Sequence, residues 1–510
     1  MSSFRQSWMW PWLLLSLPAF GWFVYALATG FALEGDNAHI AIRTFDVFGP
    51  NPPLLGMPST AGNEVSGVNA FHPGPLHFWL LAPLFAVSGW NTWGLLLGSL
   101  AINVGLAGLG LWAAWRIGSP WVKRAVVSTS AIVLIVLQFL WYTPWNPYPV
   151  FVGSMTLVVL VWGIVIGQRG WWPIAIFVGS LIIQTHLAGA LIVVPLILTV
   201  VVLSRTFGWA ARPSRREVSL TVLVLLVCWA APLREALTNW PGNIGEVLDY
   251  VAGSRSVARD ASVSNSFDSG SMAFGLVLGA MSVFGVRRAA SVLKRGAREG
   301  GPTDNQVVAV GLLITSMVTA VSSAGYFIFG SSRGLYLLMF CGVWLLQVLL
   351  LKPRSRIWWT QGTRMAVNLT VLMAIGLILF GFVGAVRLAD ARANMSVREA
   401  TRELVEGYRS ESIVVHQIGG IVEISPGMAV VADLVLTGHD VYFTHFDNRS
   451  DYDTQRRIER APDSRLELFV VQQNADSTWP DTGNGAVIDS REIDLPHWGT
   501  RVKLVLVDQR

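Results

Sequence analysis

The chain of 510 residues is 53% hydrophobic and only 14% charged, with 23 Trp and a mean hydropathy of +0.51. That composition excludes an ordinary soluble protein and points to a multi-pass α-helical membrane protein. The net charge of +5 is unevenly spread, with 23 Lys/Arg and 12 Asp/Glu in residues 1–386 against 14 and 20 in residues 387–510. Because the positive charge sits in short loops between apolar runs, where it orients helices, nucleic acid is excluded as a partner.

The first apolar run, "WMWPWLLLSLPAFGWFVYALATGF", ends in an Ala-Leu-Ala but is longer than the apolar part of a signal peptide, so it reads as an uncleaved anchor. In all, eleven runs come close to the roughly 20 residues needed to cross a bilayer core of about 30 Å. They lie at about 8–30, 92–115, 125–141, 149–167, 171–185, 187–204, 218–233, 271–286, 306–328, 335–351 and 366–386. Cys228 and Cys341 both fall inside such runs and form no disulfide framework.

With the N-terminus cytoplasmic, 18 of the 23 basic residues of this part face inward, which satisfies the positive-inside rule. The chain is then a plasma-membrane protein with an acidic C-terminal domain outside. Glu34, Asp36, Asp46, Glu64, Glu235, Glu246, Asp249, Asp260 and Asp268 also fall outside, as do His39, His72, His77 and His186, and no acid lies in the middle of a span.

The long first outer loop, residues 31–91, opens with "LEGDNAHIAIRTFDVFGP". This stretch reads as a short amphipathic helix, at whose start Asp36 fits as an N-cap. A second short helix, Pro75 to Gly89, is apolar but too short to span, so it reads as interfacial or re-entrant. Further on, "SRSVARD" belongs to a Ser-rich outer loop, and "FGSSRGLYLL" places Arg333 in a short outer turn.

An ion-coupled transporter usually carries ionisable residues or broken helices near the midplane. The polar chemistry here is instead gathered at one face. Such a distribution suits an outward-facing enzyme that takes one substrate from the lipid and another from the aqueous side.

The order of "EGDNAH", "HPGPLHFWLLAPL", "WNPYP", "QTHLAG" and "PLREALTNWPGNIGEVL" resembles the GT-C membrane glycosyltransferases. It is most similar to actinobacterial members of the group that holds the lipopolysaccharide galacturonosyltransferases, the aminoarabinose transferase and the protein O-mannosyltransferases. The resemblance covers roughly residues 1–390. It implies an inverting transfer of sugar from a polyprenyl-phosphate donor to a glycan, lipid or protein acceptor outside the cytoplasm, with membrane lipids as further partners.

In that setting the resemblance makes Asp36 the catalytic base, since a carboxylate needs only hydrogen-bond reach to the acceptor hydroxyl. The family has adjacent acids, whereas Gly35 separates Glu34 from Asp36 here. That leaves open what Glu34 does and whether a divalent cation bridges the two. His72 fits acceptor binding, orientation of Asp36 or the start of a helix, and His186 fits packing or substrate contact. His39 and His77 fit amphipathic side chains at an interface. Asn146 and its aromatic neighbours suit sugar hydroxyls and rings, or a plain aromatic belt. Arg333 suits the donor phosphate because guanidinium presents a fork of donors, with Tyr336 close by, or else a lipid headgroup. Arg255 is a further substrate-binding candidate in a loop that closes over the site.

The tail divides from the membrane part at 388/389 and is long enough for one small α/β domain. "SVREATRELVEGY" and "GMAVVADLVLTG" read as helices, and "SIVVHQ", "DVYFTH", "LELFVVQQ" and "RVKLVLVD" as strands. It carries no nucleotide-binding fingerprint and reads as a helper in acceptor or partner binding. Two other functions share the same features: a flippase-like carrier of lipid-linked sugar, and a polymerase or ligase of lipid-linked oligosaccharides.

Overall fold

A computed structural model describes residues 8–59, 70–137, 141–264, 269–294, 302–328, 333–351, 395–418, 426–443, 456, 458–463, 465–473, 485–495 and 500–509. It describes their side chains except at 135–136, 254–275, 322–339, 473 and 500. The helices are α1 (Met9–Thr29), α2 (Gly35–Phe45), α3 (Leu76–Val87), α4 (Thr92–Ile117), α5 (Pro120–Val136), α6 (Pro147–Val165) and α7 (Trp172–Thr185). They continue with α8 (Ala190–Phe207), α9 (Arg215–Thr238), α10 (Gly242–Ser264), α11 (Ser269–Leu293), α12 (Asp304–Ile328) and α13 (Arg333–Leu350). The eleventh expected span, 366–386, and the 388/389 boundary lie outside the described residues.

The chain is a multi-pass helical membrane protein. Ten expected spans are helices where the apolar runs place them, and seven helices among the described residues are long and apolar enough to cross a bilayer. Helix α7 has 14 residues, about 21 Å at 1.5 Å per residue, short of the bilayer core. Every residue of α6 is buried, which is why its sequence is apolar all round. It is the central post of the bundle, whereas α1 and α9 bury only 17% and 22% of their apolar windows and turn the rest outward.

Helix α3 is 12 residues long, too short to span, as the sequence suggests. It is not amphipathic: Phe78, Leu81 and Phe85 are buried while Trp79 and Val87 are exposed. The segment expected as a Ser-rich outer loop is also different. It forms helix α10, and the Ser residues lie towards its C-terminal end.

The C-terminal part is an α/β fold. Residues 395–405 form a helix (α14) and Pro426–Leu436 another (α15), packed on a five-stranded sheet. Its strands are β1 (Ser412–Ile418), β2 (Asp440–Phe443), β3 (Leu466–Gln473), β4 (Ala486–Leu495) and β5 (Thr500–Asp508), in the order β2-β1-β3-β5-β4. β1 runs parallel to both β2 and β3, whereas β5 is antiparallel to β3 and β4. Buried Asp433 on α15 accepts from Nε of both Arg398 (2.9 Å) and Arg402 (2.7 Å), which fixes α14 on α15.

This fold does not close its core alone. One hydrophobic cluster joins Ala38, Ile40 and Ile42 of α2, Phe78, Leu81 and Phe85 of α3, and Met428, Val431 and Leu434 of α15. Helix α2 therefore lies between the membrane bundle and the C-terminal fold, with seven of its eleven residues buried.

Candidate active site at the α2 end of the bundle

The chain enters α2 through Glu34, in extended conformation, which occupies the N-cap position without a side-chain cap bond. Gly35 follows with φ +46, a left-handed value that glycine adopts without penalty. The glycine between the two acids is thus demanded by the backbone. Asp36 sits inside the first turn, so the expectation of Asp36 as N-cap is corrected: Glu34 holds that place. The Asp36 carboxylate is favourably placed near the positive end of the helix dipole. Its Oδ2 accepts from the indole Nε1 of Trp145 at 2.8 Å. Glu34 is buried at 7% exposure, while Asp36 is only half-buried.

Trp145 belongs to "WNPYP", the turn entering α6, and its ring meets Tyr148 edge-on at 4.9 Å. The next residue, Asn146, is buried and donates through Nδ2 to the carbonyl of Thr185 at 3.2 Å. Thr185 ends α7 and precedes His186. One turn therefore touches both the Asp36 helix and the His186 corner.

At that corner the rings of His72 and His186 lie 4.4 Å apart, tilted by 35°. His72 Nδ1 accepts from the Leu187 N–H at 3.1 Å, and His186 Nδ1 accepts from the Ala188 N–H at 3.2 Å. A neutral imidazole that accepts at Nδ1 carries its proton on Nε2. Both rings thus present Nε2–H donors. Burial pushes the His186 pKa down to about 4, and burial together with the neighbouring His186 holds His72 well below its ordinary value. They form an uncharged donor pair, so they suit hydroxyl oxygens better than they would neutralise a phosphate.

His72 is positioned from three directions. Residues 56–59 and 70–72 pair as a short antiparallel ladder, with the His72 N–H donating to Met57 O at 2.8 Å. Beside it, Asn243 of α10 grips the backbone of Phe71 at both ends: Oδ1 accepts from its N–H at 2.7 Å and Nδ2 donates to its carbonyl at 3.0 Å. Buried Glu235 accepts from the Asn243 N–H in turn, at 3.3 Å. The third support is Gln184, 0% exposed, which accepts from the Leu76 N–H at 3.3 Å and donates to Cys228 O at 2.7 Å. The glycine of "HPGP" is required here, because a Cβ on Gly74 would collide with the Gln184 side chain and Pro232.

Asp36, Asn146, His72 and His186 thus lie at one end of the bundle, linked by contacts through the "WNPYP" turn. Glu34 is on the same entry to α2. The side chains of Arg255, Arg333 and Tyr336 lie outside those described, although their backbone positions fall in α10 and at the start of α13. Trp145, Gln184, Glu235 and Asn243 carry more of the geometry than the sequence signals. Gln184 and Trp145 lie within two residues of named candidates, and Glu235 and Asn243 fall inside "PLREALTNWPGNIGEVL", but nothing in the sequence marks any of the four as a support. A narrow, mostly apolar cavity lies elsewhere, among Thr129, Ser130, Trp141 and Met155, and none of these candidate residues lines it. Among the described residues no three His, Cys, Asp or Glu side chains gather as they would around a metal ion.

In the first half of α10, Ile244, Leu248 and Val251 are exposed together with Asp249, continuing from Leu237 and Trp240 around the end of α9. Helix α10 thus turns one face to its surroundings and uses the other, through Asn243, Val247 and Tyr250, to pack the His72 loop.

No family model matches the chain, and no curated protein matches it. Among solved structures it is similar to the crystal structure of ArnT from Cupriavidus metallidurans bound to undecaprenyl phosphate, at 12% identity over 98% of each chain and a TM-score of 0.41.

Proposed function

We propose that the protein is a GT-C-type membrane glycosyltransferase that transfers a sugar from a polyprenyl-phosphate donor to a cell-envelope acceptor at the outer face of the membrane. The observation that carries this reading is the state of Asp36. It is a half-buried carboxylate in the first turn of α2, one residue past the Glu34–Gly35 junction, and its Oδ2 accepts from the indole N–H of Trp145 at 2.8 Å. A general base requires that combination of reach and fixed direction. The neutral pair His72 and His186 supplies hydrogen-bond donors for acceptor or sugar hydroxyls, and Glu34 assists from the preceding residue.

The donor reaches this end of the bundle from the lipid. The exposed apolar stripe on α9 and α10 runs beside the loop that carries His72. Arg333, with Tyr336 beside it and Arg255 from α10, is the partner for the donor phosphate, because a guanidinium fork matches phosphate oxygens. Asp36 takes the proton of the acceptor hydroxyl as its oxygen bonds to the anomeric carbon, and the bond from that carbon to the carrier phosphate breaks. The carrier leaves as polyprenyl phosphate.

The experiment is mass spectrometry of envelope glycans and polyprenyl-phosphate sugars in a deletion strain. A lipid-linked sugar that accumulates while one glycan linkage disappears is the expected outcome and names both substrates. The same missing linkage with the lipid-linked sugar held on the cytoplasmic side, read by its protection from a membrane-impermeant reagent in intact cells, would favour a flippase-like carrier instead.

A further inference from the structure

Helix α2 is held at both ends, and the two holds come from distant parts of the sequence. Trp145 fixes Asp36 at the N-terminal end. At the C-terminal end, Asp46 is 3% exposed and accepts from Arg43 Nη1 at 3.0 Å, a local pair three residues apart. It also accepts from Arg456, Nη1 to Oδ2 at 2.8 Å and Nη2 to Oδ1 at 2.7 Å, across 410 residues of chain. A fork of two parallel bonds fixes orientation as well as distance, and removing one partner of a buried pair leaves the other charge uncompensated.

Between these ends, His39 Nε2 meets the Met428 sulfur of α15 at 3.0 Å, with Gln417 Nε2 reaching the same sulfur at 3.3 Å. His39 lies three residues beyond Asp36, so on a helix the two are neighbours. The apolar contacts of Ile40 and Ile42 with the α15 side complete the seat.

We propose that the C-terminal fold is the frame of the Asp36 helix, and that Arg456 is a positioning residue that acts through Asp46 to fix where Asp36 is presented. The effect on turnover rests on the reading of Asp36 as base; the mechanical claim does not. A domain that only bound acceptor would need no buried guanidinium fork on α2.

The test is hydrogen exchange on the full-length protein in nanodiscs, comparing Arg456→Gln and Arg456→Lys with wild type. Exchange across 35–45 is expected to rise about tenfold or more in Arg456→Gln, with 412–418 and 466–473 unchanged, and to rise less in Arg456→Lys, which keeps charge but loses the fork. Should Arg456→Gln fail to fold, Asp46→Asn tests the same contact from the other side. With a polyprenyl-phosphate sugar as probe, kcat should fall about 10- to 100-fold while KM for the donor moves little. Unchanged exchange at 35–45, or equal loosening of 412–418 and 466–473, overturns the proposal, the latter making Arg456 a stabiliser of its own fold. If wild type transfers no sugar, the glycosyltransferase reading fails, and the exchange data alone still decide the positioning.

Discussion

The Nε1–H of Trp145 donates to Asp36 Oδ2 at 2.8 Å across 109 residues, tying the entrance of α6 to the first turn of α2. Because Glu34 occupies the N-cap position, replacing the Asp36 carboxylate leaves that position intact. Asp36→Asn should therefore fold, losing the about 0.3–1 kcal/mol that a negative charge contributes near a helix N-terminus and weakening the Trp145 bond, which Asn still accepts without charge. Turnover should fall by about 10² to 10⁴, the usual contribution of a general base. Wild-type transfer by purified Asp36→Asn, at saturating donor and acceptor, would remove Asp36 from the chemistry.

Trp145→Phe keeps most of the packing against Tyr148 and removes only the donor. The carboxylate then keeps its charge and loses its direction. The expected result is a smaller loss than Asp36→Asn, about tenfold, seen in kcat. The double substitution should be no worse than Asp36→Asn alone, since residues that act as a unit are not additive. A double variant that multiplies the two losses would mean the indole acts independently of Asp36.

The division between what the sequence shows and what it does not follows from the range of the interactions. Apolar runs of about 20 residues report burial in lipid directly, so α1, α4 to α9 and α11 to α13 are visible one by one, "PLHFWLLAPLFAVSG" is visible as too short, and α10, which has no such run, reads as a loop. The acidic entry to α2 is visible for the same reason, because carboxylates stand out next to a span. Asn243, Gln184 and Trp145 are invisible as supports, because their partners lie 172, 108 and 109 residues away. Strand β4 is missed because it is an edge: Asp489, Arg491, Glu492 and Asp494 charge it, most of it is exposed, and a register shift falls between Val487 and Asp489. Charges and bulges protect edge strands from pairing with other chains, and they erase the apolar alternation that marks a strand. The shared core of α2 and α15 is likewise hidden, since each helix reads as apolar without saying what covers it.

Asn243 bonds both backbone groups of Phe71, so Asn243→Ala leaves an N–H and a carbonyl beside His72 without those bonds. An unmet buried polar group costs about 1–3 kcal/mol. A lower thermal midpoint is expected, with faster exchange confined to residues 70–74. Asn243→Asp keeps the acceptor but sets a carboxylate oxygen against the Phe71 carbonyl and near Glu235, so it should be no better than Ala. Stability equal to wild type in both variants would show that water replaces the pair without loss.

The histidine pair gives a pH dependence with a defined sign. His186 titrates near 4 in the folded chain against an ordinary 6.5, and His72 is also lowered. Between those values the unfolded chain binds more protons than the folded one, so stability rises with pH there and is lost on acidification. The thermal midpoint should fall between pH 7 and pH 5. His186→Asn, which retains capping ability, should flatten part of that slope. A slope identical in His186→Asn and wild type would assign the acid sensitivity to other groups.

Orientation in the membrane is the last point open to direct test. The contacts Arg456 to Asp46 and His39 to Met428 place the C-terminal fold on the face where α1 ends and α2 begins, whichever way the protein inserts. The loop between α8 and α9, with Arg212, Arg215 and Arg216 at its end, lies one span from the His186 corner and so on the opposite face. From the basic bias of 18 to 5, that loop is expected in the cytoplasm. An alkaline phosphatase reporter, active only outside, should therefore be active when fused after Arg510 and inactive when inserted near residue 210. A cytoplasmic fluorescent reporter should show the reverse. The opposite pattern at both positions would place Asp36 and the histidine pair in the cytoplasm. A polyprenyl-linked donor used at the outer face would then be out of their reach.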